Sequence, residues 1–235
     1  MTALRAVLFD VFGTLVDWRS GISAAFAEAG AACGVTADFA AMADAWRGRY
    51  RPSLDAVRAG ARPFTDLDTL HRESLLALLP SFGAGAMAEE MDTLVAAWHR
   101  LPPWPDAAPG LARIRQTAWV APLSNGHLAL QIDLARHAGF AWDAVFGADV
   151  LRHYKPDREV YLGACKLLGL APGEVMLAAA HNEDLAAARA LGLRTGFISR
   201  PLEYGAPDAR ARPAEAWDIV AGSVEALAGQ LSGAF

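Results

Sequence analysis

The chain has 235 residues, a formal net charge of −5 at pH 7 and a mean hydropathy of +0.20. This length predicts one sizeable α/β domain that carries a smaller insertion. We expect no membrane span, because no apolar run approaches the roughly 18 residues that one requires. The negative charge and the lack of a lysine- or arginine-rich run argue against nucleic acid as the main partner, so a small-molecule ligand is favoured.

The N-terminal sequence and the cysteine count both favour a cytoplasmic protein. No basic stretch leads into a long apolar segment with a cleavage site, so we predict no secretory signal. Cys33 and Cys165 are too few for a disulfide framework and have no metal-binding spacing. We expect both cysteines to pack in the core.

After position 105, short apolar runs alternate with segments of helical length, which is the pattern of βα units in a parallel sheet. Apolar residues recur at helical spacing within these segments, for example at Val160, Ala164 and Leu167. The predicted strands are 6–9, 119–123, 144–147, 175–179, 195–198 and 219–220. The predicted helices cover 127–138, 157–169 and 184–191, and a last helix starts near Ser223.

The stretch from 18 to 98 has a different character. It contains long alanine-rich helical segments and no convincing strand, so we predict a helical insertion. Strand 6–9 must then join the later sheet across this insertion. The predicted division is a core domain over 1–17 and 99–235, interrupted by a helical cap domain over 18–98. The proline-rich stretch HRLPPWPDAAPG, 99–110, is predicted to be the linker that returns to the core.

Polar residues lie just beyond the carboxyl ends of the predicted strands, where open α/β sheets bind their ligands. Taken singly, Asn125 or Asp184 is explained equally well as a helix cap, because βα loops are generally polar. Together, two acids, a hydroxyl–amide pair, a lysine and a histidine predict a site at one edge of the sheet. These residues are Asp10, Ser124, Asn125, Lys155, His181 and Asp184.

Four blocks carry a resemblance to a known family: FDVFGTLVD at 9–17, LSNG at 123–126, YKPD at 154–157 and Asp184 in HNEDLAAARALG. Over essentially the whole chain, the sequence resembles the haloacid dehalogenase-like hydrolases, and within them the metal-independent 2-haloacid dehalogenases. The resemblance implies an α/β fold with a Rossmann-like parallel-sheet core and a helical cap inserted after the first strand. It also implies an aspartate nucleophile, hydrolysis through a covalent enzyme ester, and a homodimer.

Position 12 favours displacement at carbon over phosphoryl transfer. Phosphatases of this superfamily resemble one another in a second aspartate two residues after the nucleophile, which protonates the leaving alkoxide, and in a later acid that helps to bind Mg²⁺. Phe12 and Ala180 stand at these two positions. A halide is a weak base and leaves without a proton, and an apolar ring keeps the nucleophile dry. We therefore expect no metal ion and no cofactor.

The expected reaction has two steps. The Asp10 carboxylate displaces halide from C2 of a short 2-haloalkanoic acid, and water then hydrolyses the aspartyl ester to release a 2-hydroxy acid. Lys155 is expected to orient Asp10, and Asp184 to hold Lys155, because buried charges are costly unless they are paired. Thr14 is expected to hydrogen-bond near the nucleophile.

Binding of the halogenated carboxylate is assigned to four residues. Ser124 and Asn125 are expected to bind the substrate carboxylate, helped by N–H groups at the start of the following helix, and Phe12 is expected to line the site. The family resemblance implies an arginine of the first cap helices around the halide, and the matching residue in AWRGRY, 45–50, is Arg47. Because other arginines are close by, a solvated basic helix face is the alternative.

His181 departs from the family pattern. The best-known dehalogenases of this type resemble one another in Ser-Ser-Asn at this place, whereas the present chain has AAAHNED at 178–184. An unperturbed pKa of about 6.5 suits His181 to activate the hydrolytic water, and a role as a hydrogen-bonding spacer stays open. The change is also consistent with a smaller substrate, including a fluorinated one.

Other functions stay open on the sequence alone. A related hydrolase of the same superfamily is one: either a Mg²⁺-dependent small-metabolite phosphatase, which a chelator would inhibit, or a carbon–nitrogen hydrolase of strained rings, which would release an amine. A binding or assembly module without activity is another. It explains less well why Asp10, Lys155 and Asp184 occur together at strand ends.

Overall fold

The computed structural model describes residues 3–231, and its centre is a five-stranded parallel sheet. The strand order is β2-β1-β3-β4-β5, and every neighbouring pair is parallel. The strands are short and mostly buried, as expected for a parallel sheet with helices on both faces. Their bounds are Ala6–Phe9 for β1, Trp119–Pro122 for β2, Val175–Ala179 for β3, Arg194–Ile198 for β4 and Ile219–Ala221 for β5.

The chain between β1 and β2 is helical. Three of its helices begin with an aspartate whose carboxylate accepts a backbone N–H of the first turn, namely Asp17, Asp38 and Asp66. Such caps satisfy donors that a helix start leaves free. The helices are α1 Trp18–Cys33, α2 Phe39–Arg58, α3 Leu67–Leu78 and α4 Met91–Ala96, with 3₁₀ turns at Leu79–Phe82, Gly85–Glu90 and Ala97–Arg100.

Six further helices connect and cover the strands after residue 106 in the described part of the chain. They are α5 Ala107–Ile114, α6 Leu128–Ala138, α7 Ala148–Leu151, α8 Arg158–Leu168, α9 Asn182–Ala190 and α10 Val224–Leu231. Gly139 and Gly169 end α6 and α8 in the left-handed conformation that glycine adopts readily. The predicted fold class, an α/β parallel-sheet core with helices inserted after the first strand, is confirmed.

One local prediction was wrong, and the bounds of another were too wide. The run 144–147 forms an isolated bridge, Leu123 to Phe146, and no strand. The Asp143 carboxylate accepts the Val120 N–H at 2.9 Å, so a side chain replaces the carbonyl that would have continued a ladder. The predicted linker 99–110 contains the start of α5, whose first turn accommodates a proline because its N–H groups need no partner within the helix.

The inserted helices and the sheet share one apolar core. Val7 and Phe9 of β1 belong to the same cluster as aromatic residues of the inserted segment, whereas Leu8 faces a second cluster on the other side of the sheet. The ring of Trp98 meets Phe12 edge-on, with centroids 5.5 Å apart. This packing fixes the helical segment over the carboxyl end of β1. Within residues 3–231, no helix combines the length and apolar character needed to cross a membrane.

Candidate active site

Asp10 directly follows the central strand β1 and opens onto a cavity of about 680 Å³ between the inserted helices and the sheet. Its N–H donates to the Ala178 carbonyl at 3.0 Å, which extends the pairing of β1 with β3 by one residue. The side chain is 13% exposed, so the carboxylate is largely withdrawn from solvent while still reaching the cavity. Lining residues that matter for the chemistry are Asp10, Phe12, Arg47, Asn125, Lys155 and His181.

Three side chains hold the Asp10 carboxylate. The Thr14 hydroxyl donates to Oδ2 at 2.7 Å, His181 Nδ1 lies 3.0 Å from the same oxygen, and Lys155 Nζ lies 3.4 Å from Oδ1. Burial raises the pKa of Asp10, but the charge of Lys155 and the contacts with His181 and Thr14 outweigh it and keep the pKa well below its usual range. Asp10 is therefore an ionised, poorly hydrated carboxylate, as a nucleophile requires.

Lys155 is held from behind by Asp184. Its Nζ donates to Asp184 Oδ2 at 2.6 Å, and the Tyr161 hydroxyl donates to the other oxygen of Asp184 at 2.6 Å. Burial lowers the pKa of Lys155, yet the charges of Asp184 and Asp10 raise it above its ordinary value, so the ammonium stays charged. The Lys155 ammonium lies between Asp10 and Asp184, where a metal ion would have to lie in order to bind both acids.

His181 connects Asp10 to a second buried acid, Glu203. His181 Nε2 lies 3.1 and 3.2 Å from the two oxygens of Glu203, which is 4% exposed and also accepts the Trp18 indole N–H at 3.1 Å. Burial lowers the pKa of His181, but Glu203 and Asp10 raise it to about 10. Burial raises the pKa of Glu203, whereas His181 lowers it below its usual value. At neutral pH, His181 is therefore an imidazolium between two carboxylates.

Gly13 makes this arrangement sterically possible. It has a φ of +85°, and a Cβ at this position would clash with Oε1 of Glu203. A glycine in the turn after β1 therefore lets the Glu203 carboxylate approach the backbone beside the nucleophile.

Arg47 offers an anion-binding group on the opposite wall of the cavity. Its guanidinium lies 4.2 Å from the Tyr50 ring centroid and 5.4 Å from that of Trp18. Its Nη1 is buried and has no hydrogen-bond partner within residues 3–231. Because the Arg47 side chain also lines the cavity, its guanidinium is a candidate donor to a ligand anion. Arg51 also lines the cavity, but it forms an ion pair with Glu183.

The two residues of the SNG block have different positions. Asn125 lines the cavity, and its Oδ1 accepts the Lys155 N–H at 2.8 Å, which fixes the loop that carries the lysine. Ser124 is buried, and its Oγ accepts the Gly126 N–H at 3.1 Å. Ser124 is not among the residues that line the cavity.

The structure thus brings together Asp10, Thr14, Lys155, His181 and Asp184 by hydrogen bonds, with Phe12, Arg47 and Asn125 on the cavity wall. Sequence reasoning missed Glu203 and Tyr161. Glu203 lies in the loop after β4, and Tyr161 lies on α8, six residues after Lys155. A buried histidine beside an acid would have suggested a second acid, but nothing in the sequence spacing indicated which one.

The model of the haloacid dehalogenase-like hydrolases matches residues 4–192. The chain belongs to this family. Among curated relatives, this haloacid dehalogenase-like hydrolase is 33% identical over 208 residues to (S)-2-haloacid dehalogenase 4A of Burkholderia cepacia, covering 86% of the present chain and 87% of the relative. The resemblance found in the sequence is confirmed.

Solved structures agree with this assignment. The haloacid dehalogenase-like hydrolase described here matches a defluorinating L-2-haloacid dehalogenase with a TM-score of 0.94 and 50% identity, over 97% of this chain and 95% of the other. It also matches the L-2-haloacid dehalogenase of Xanthobacter autotrophicus with chloropropionic acid covalently bound. That match has a TM-score of 0.80 and 25% identity, and it covers 98% of this chain and 99% of the other.

Proposed function

We propose that this protein hydrolyses short 2-haloalkanoic acids to 2-hydroxy acids through an ester on Asp10, without a metal ion or cofactor. The observation that carries this proposal is the ionised Asp10 carboxylate, held by Thr14, Lys155 and His181 and facing a cavity that Arg47 also lines. Relatives named as 2-haloacid dehalogenases support the same chemistry. Phe12 stands where a phosphatase would need its general acid.

The two oxygens of Asp10 have different surroundings, and this difference selects the attacking atom. Oδ2 receives two short contacts, from Thr14 and His181, whereas Oδ1 has only the 3.4 Å contact with Lys155. The less engaged Oδ1 is the better nucleophile. Its lone pair forms the bond to C2 while the carbon–halogen bond breaks, and the electron pair of that bond leaves with the halide. Arg47 and Asn125 stabilise both the halide and the substrate carboxylate.

The second step uses the other oxygen. After Oδ1 is alkylated, Oδ2 is the ester carbonyl oxygen, and negative charge develops there when water attacks Cγ. The Cγ–Oδ1 bond then breaks and Oδ1 leaves with the 2-hydroxy acid. One proton of the water ends on this leaving oxygen, and the other is released to solvent. Thr14 and His181 already point donors at this atom, which is the geometry of an oxyanion hole. An imidazolium is a better donor than a neutral imidazole, so we assign His181 to charge stabilisation in this step, in place of the general base considered from the sequence.

The remaining site residues act by positioning the residues that contact Asp10 or line the cavity. Asp184, with Tyr161, keeps Lys155 charged and directed at Asp10, and Glu203 keeps His181 protonated. We assign Ser124 to the support of the loop that carries Asn125. The Ser124 oxygen supports this loop by accepting the Gly126 N–H.

The cavity between cap and core sets the domain division that we propose: a core of 1–17 and 99–235 and a cap of 18–98. α1 begins at Trp18, which fits the first boundary, while the 3₁₀ turn Ala97–Arg100 crosses the second. The resemblance to the family also leads us to propose a homodimer, and we propose a cytoplasmic location. Sedimentation equilibrium of the full chain tests the dimer, and a mass equal to one chain would contradict it.

The decisive experiment measures halide release from a panel of fluoro-, chloro- and bromo-substituted 2-haloacids. Asp10→Asn should reduce turnover below detection, because an amide is not a nucleophile at neutral pH. Asp17→Asn, which changes a helix-capping aspartate outside the cavity, is the matched control and should remain active. Multiple turnovers in ¹⁸O-water should place label in Asp10. An unlabelled Asp10, or release of phosphate or amine in place of halide, would overturn the proposal.

A further inference from the structure

A second group of titratable side chains lies where the inserted helices meet the core. Asp68 is in the first turn of α3, His99 is in the turn Ala97–Arg100, His127 directly precedes α6, and Asp133 is within α6. None of the four lines the cavity that contains Asp10. The group therefore calls for an explanation separate from the proposed reaction.

Three of these side chains converge on one point. His99 Nε2 lies 3.0 and 3.2 Å from the two oxygens of Asp68, and His127 Nε2 lies 3.6 Å from Asp68 Oδ2. One ligand atom from each residue lies within 4.8 Å of the others. A tetrahedral zinc ion with bonds of about 2.0–2.2 Å holds its ligand atoms roughly 3.4 Å apart. Small side-chain adjustments would give all three atoms this spacing.

Asp133 orients His99 for such a role. Its Oδ2 lies 2.8 Å from His99 Nδ1, so it accepts the proton of that nitrogen and directs Nε2 towards Asp68. A carboxylate on the far nitrogen of a histidine is the usual support of a metal-binding imidazole.

His127 provides an independent observation. Its side chain is 14% exposed, its Nδ1 is buried without a hydrogen-bond partner in the described part of the chain, and its Nε2 is 3.6 Å from Asp68. Neither nitrogen of this ring therefore makes a normal hydrogen bond. One ion cannot bind both nitrogens of a ring, so an ion beside Asp68 would bind Nε2, which makes no normal hydrogen bond, and would leave Nδ1 without a partner.

We propose that Asp68, His99 and His127 bind one divalent transition-metal ion of the zinc type, with Asp133 supporting His99. Two imidazoles and one carboxylate suit zinc, cobalt or nickel, and disfavour magnesium, which prefers oxygen ligands. Because Asp68 belongs to the inserted helices and His127 to the core, the ion joins the two parts and acts on stability. This departs from the expectation, drawn from the sequence, of a chain without a metal ion.

The test is a titration of the full chain after dialysis against a chelator. We expect one zinc ion per chain by isothermal titration calorimetry, a higher Tm in the presence of ZnCl₂, and visible absorption bands when CoCl₂ replaces zinc. His127→Ala should weaken zinc binding at least tenfold, and Asp133→Asn about 10- to 100-fold, as for other outer-shell carboxylates. His137→Ala, an exposed histidine of the same helix α6, is the matched control and should leave the affinity unchanged.

His127→Ala is the cleanest variant, because the shortest polar contact that it removes is 3.6 Å long, and the protein should therefore fold. The proposal is overturned if zinc shows no saturable binding below about 100 μM, or if the His127→Ala and His137→Ala proteins bind zinc equally well. MgCl₂ at millimolar concentration should not displace the zinc. Halide release by the chelated protein should persist, so the outcome for the metal site is independent of the proposed reaction.

Discussion

The hydroxyl of Thr14 serves two partners at once. It donates to Asp10 Oδ2 at 2.7 Å and accepts the Ala180 N–H at 2.9 Å, in a position without solvent exposure. The side chain therefore ties the turn after β1 to the loop after β3 while it presents a donor to the proposed ester. A single atom combines a structural and a chemical contribution.

Replacing Thr14 separates these contributions. Thr14→Val should lower kcat by about 10²–10³, the usual cost of losing one oxyanion donor, and the aspartyl ester should accumulate because only the second step needs that donor. Thr14→Ser retains the hydroxyl and should keep most of the activity. Intact-protein mass spectrometry during turnover detects the ester. Equal kcat values for the valine and serine variants would remove Thr14 from the mechanism.

The protonation state of His181 predicts the pH dependence of the reaction. The pKa of His181 is raised to about 10, so the imidazolium persists through neutral pH and activity should decline as the pH rises through about 10. Glu203→Gln removes the leading cause of the raised pKa and should shift this decline to lower pH. Glu225→Gln, at an exposed acid of α10 that does not line the cavity, is the control. Activity that instead increases through pH 10 would identify His181 as a general base.

At the scale of elements, Arg200 connects three parts of the core. Its Nε donates to the Thr14 carbonyl at 2.8 Å, and its Nη1 and Nη2 donate to the two oxygens of Asp106 at 2.8 Å each. Asp106 Oδ2 also accepts the Val224 N–H at the start of α10. One buried guanidinium thus fixes the catalytic turn against the starts of α5 and α10.

Arg200→Lys tests this connection, because lysine keeps the charge and loses the two-pronged geometry. We expect the free energy of unfolding to fall by about 3 kcal/mol, the lower end of the range for a disrupted buried ion pair, because lysine keeps the charge. Urea denaturation followed by circular dichroism measures this change. Arg210→Lys, at an exposed arginine paired with Asp208, should change it by less than about 0.5 kcal/mol. Similar losses in both variants would contradict the assignment.

Local pattern was sufficient to predict most elements. β3 and β4 are continuous apolar runs between helical segments, and nothing in their surroundings competes with that preference. The run 144–147 is also apolar, but the Asp143 side chain accepts the Val120 N–H, which a backbone carbonyl would accept in a strand. Composition does not reveal a competition of this kind, because it depends on where Val120 lies in space.

The site shows a similar limit. Asp10, Lys155 and Asp184 could be predicted because each follows an apolar run or a recognisable block of sequence. Glu203 could not, since the loop 200–205 has no motif and its contact with His181 depends on the tertiary fold. The same contact is the reason that we propose a different role for His181: an unperturbed pKa suited a base, whereas the buried acid raises the pKa and favours the cation.

On the scale of the whole molecule, the titratable groups of the site stabilise the fold over different pH ranges: the contribution of the acids is lost at low pH, and that of the histidine at high pH. The folded-state pKa values of Asp10 and Glu203 are depressed, so their contribution is present above the ordinary carboxyl pKa of about 4 and is lost as the pH falls below it. The pKa of His181 is raised, so its contribution is complete below about 6.5 and is lost as the pH rises towards 10.

The free energy of unfolding should therefore be highest near pH 5–6.5 and decline on both sides. Urea denaturation of the full chain between pH 3 and 10 measures this profile. His181→Gln should flatten the alkaline decline and also weaken the acid-side decline, because His181 is the leading cause that lowers the pKa of Glu203. His137→Ala should change neither side. An unaltered alkaline decline in the His181→Gln protein would show that other groups cause it.

The position of Trp18 makes its fluorescence sensitive to a ligand in the cavity. Its indole N–H donates to Glu203, and its ring lies 5.4 Å from the Arg47 guanidinium, in a position that is 1% exposed. An anion that binds at Arg47 alters the electric field across this indole, and with it the wavelength of Trp18 emission. In the Asp10→Asn protein, where no turnover consumes the ligand, intrinsic fluorescence can then report how tightly each haloacid binds before any bond is broken.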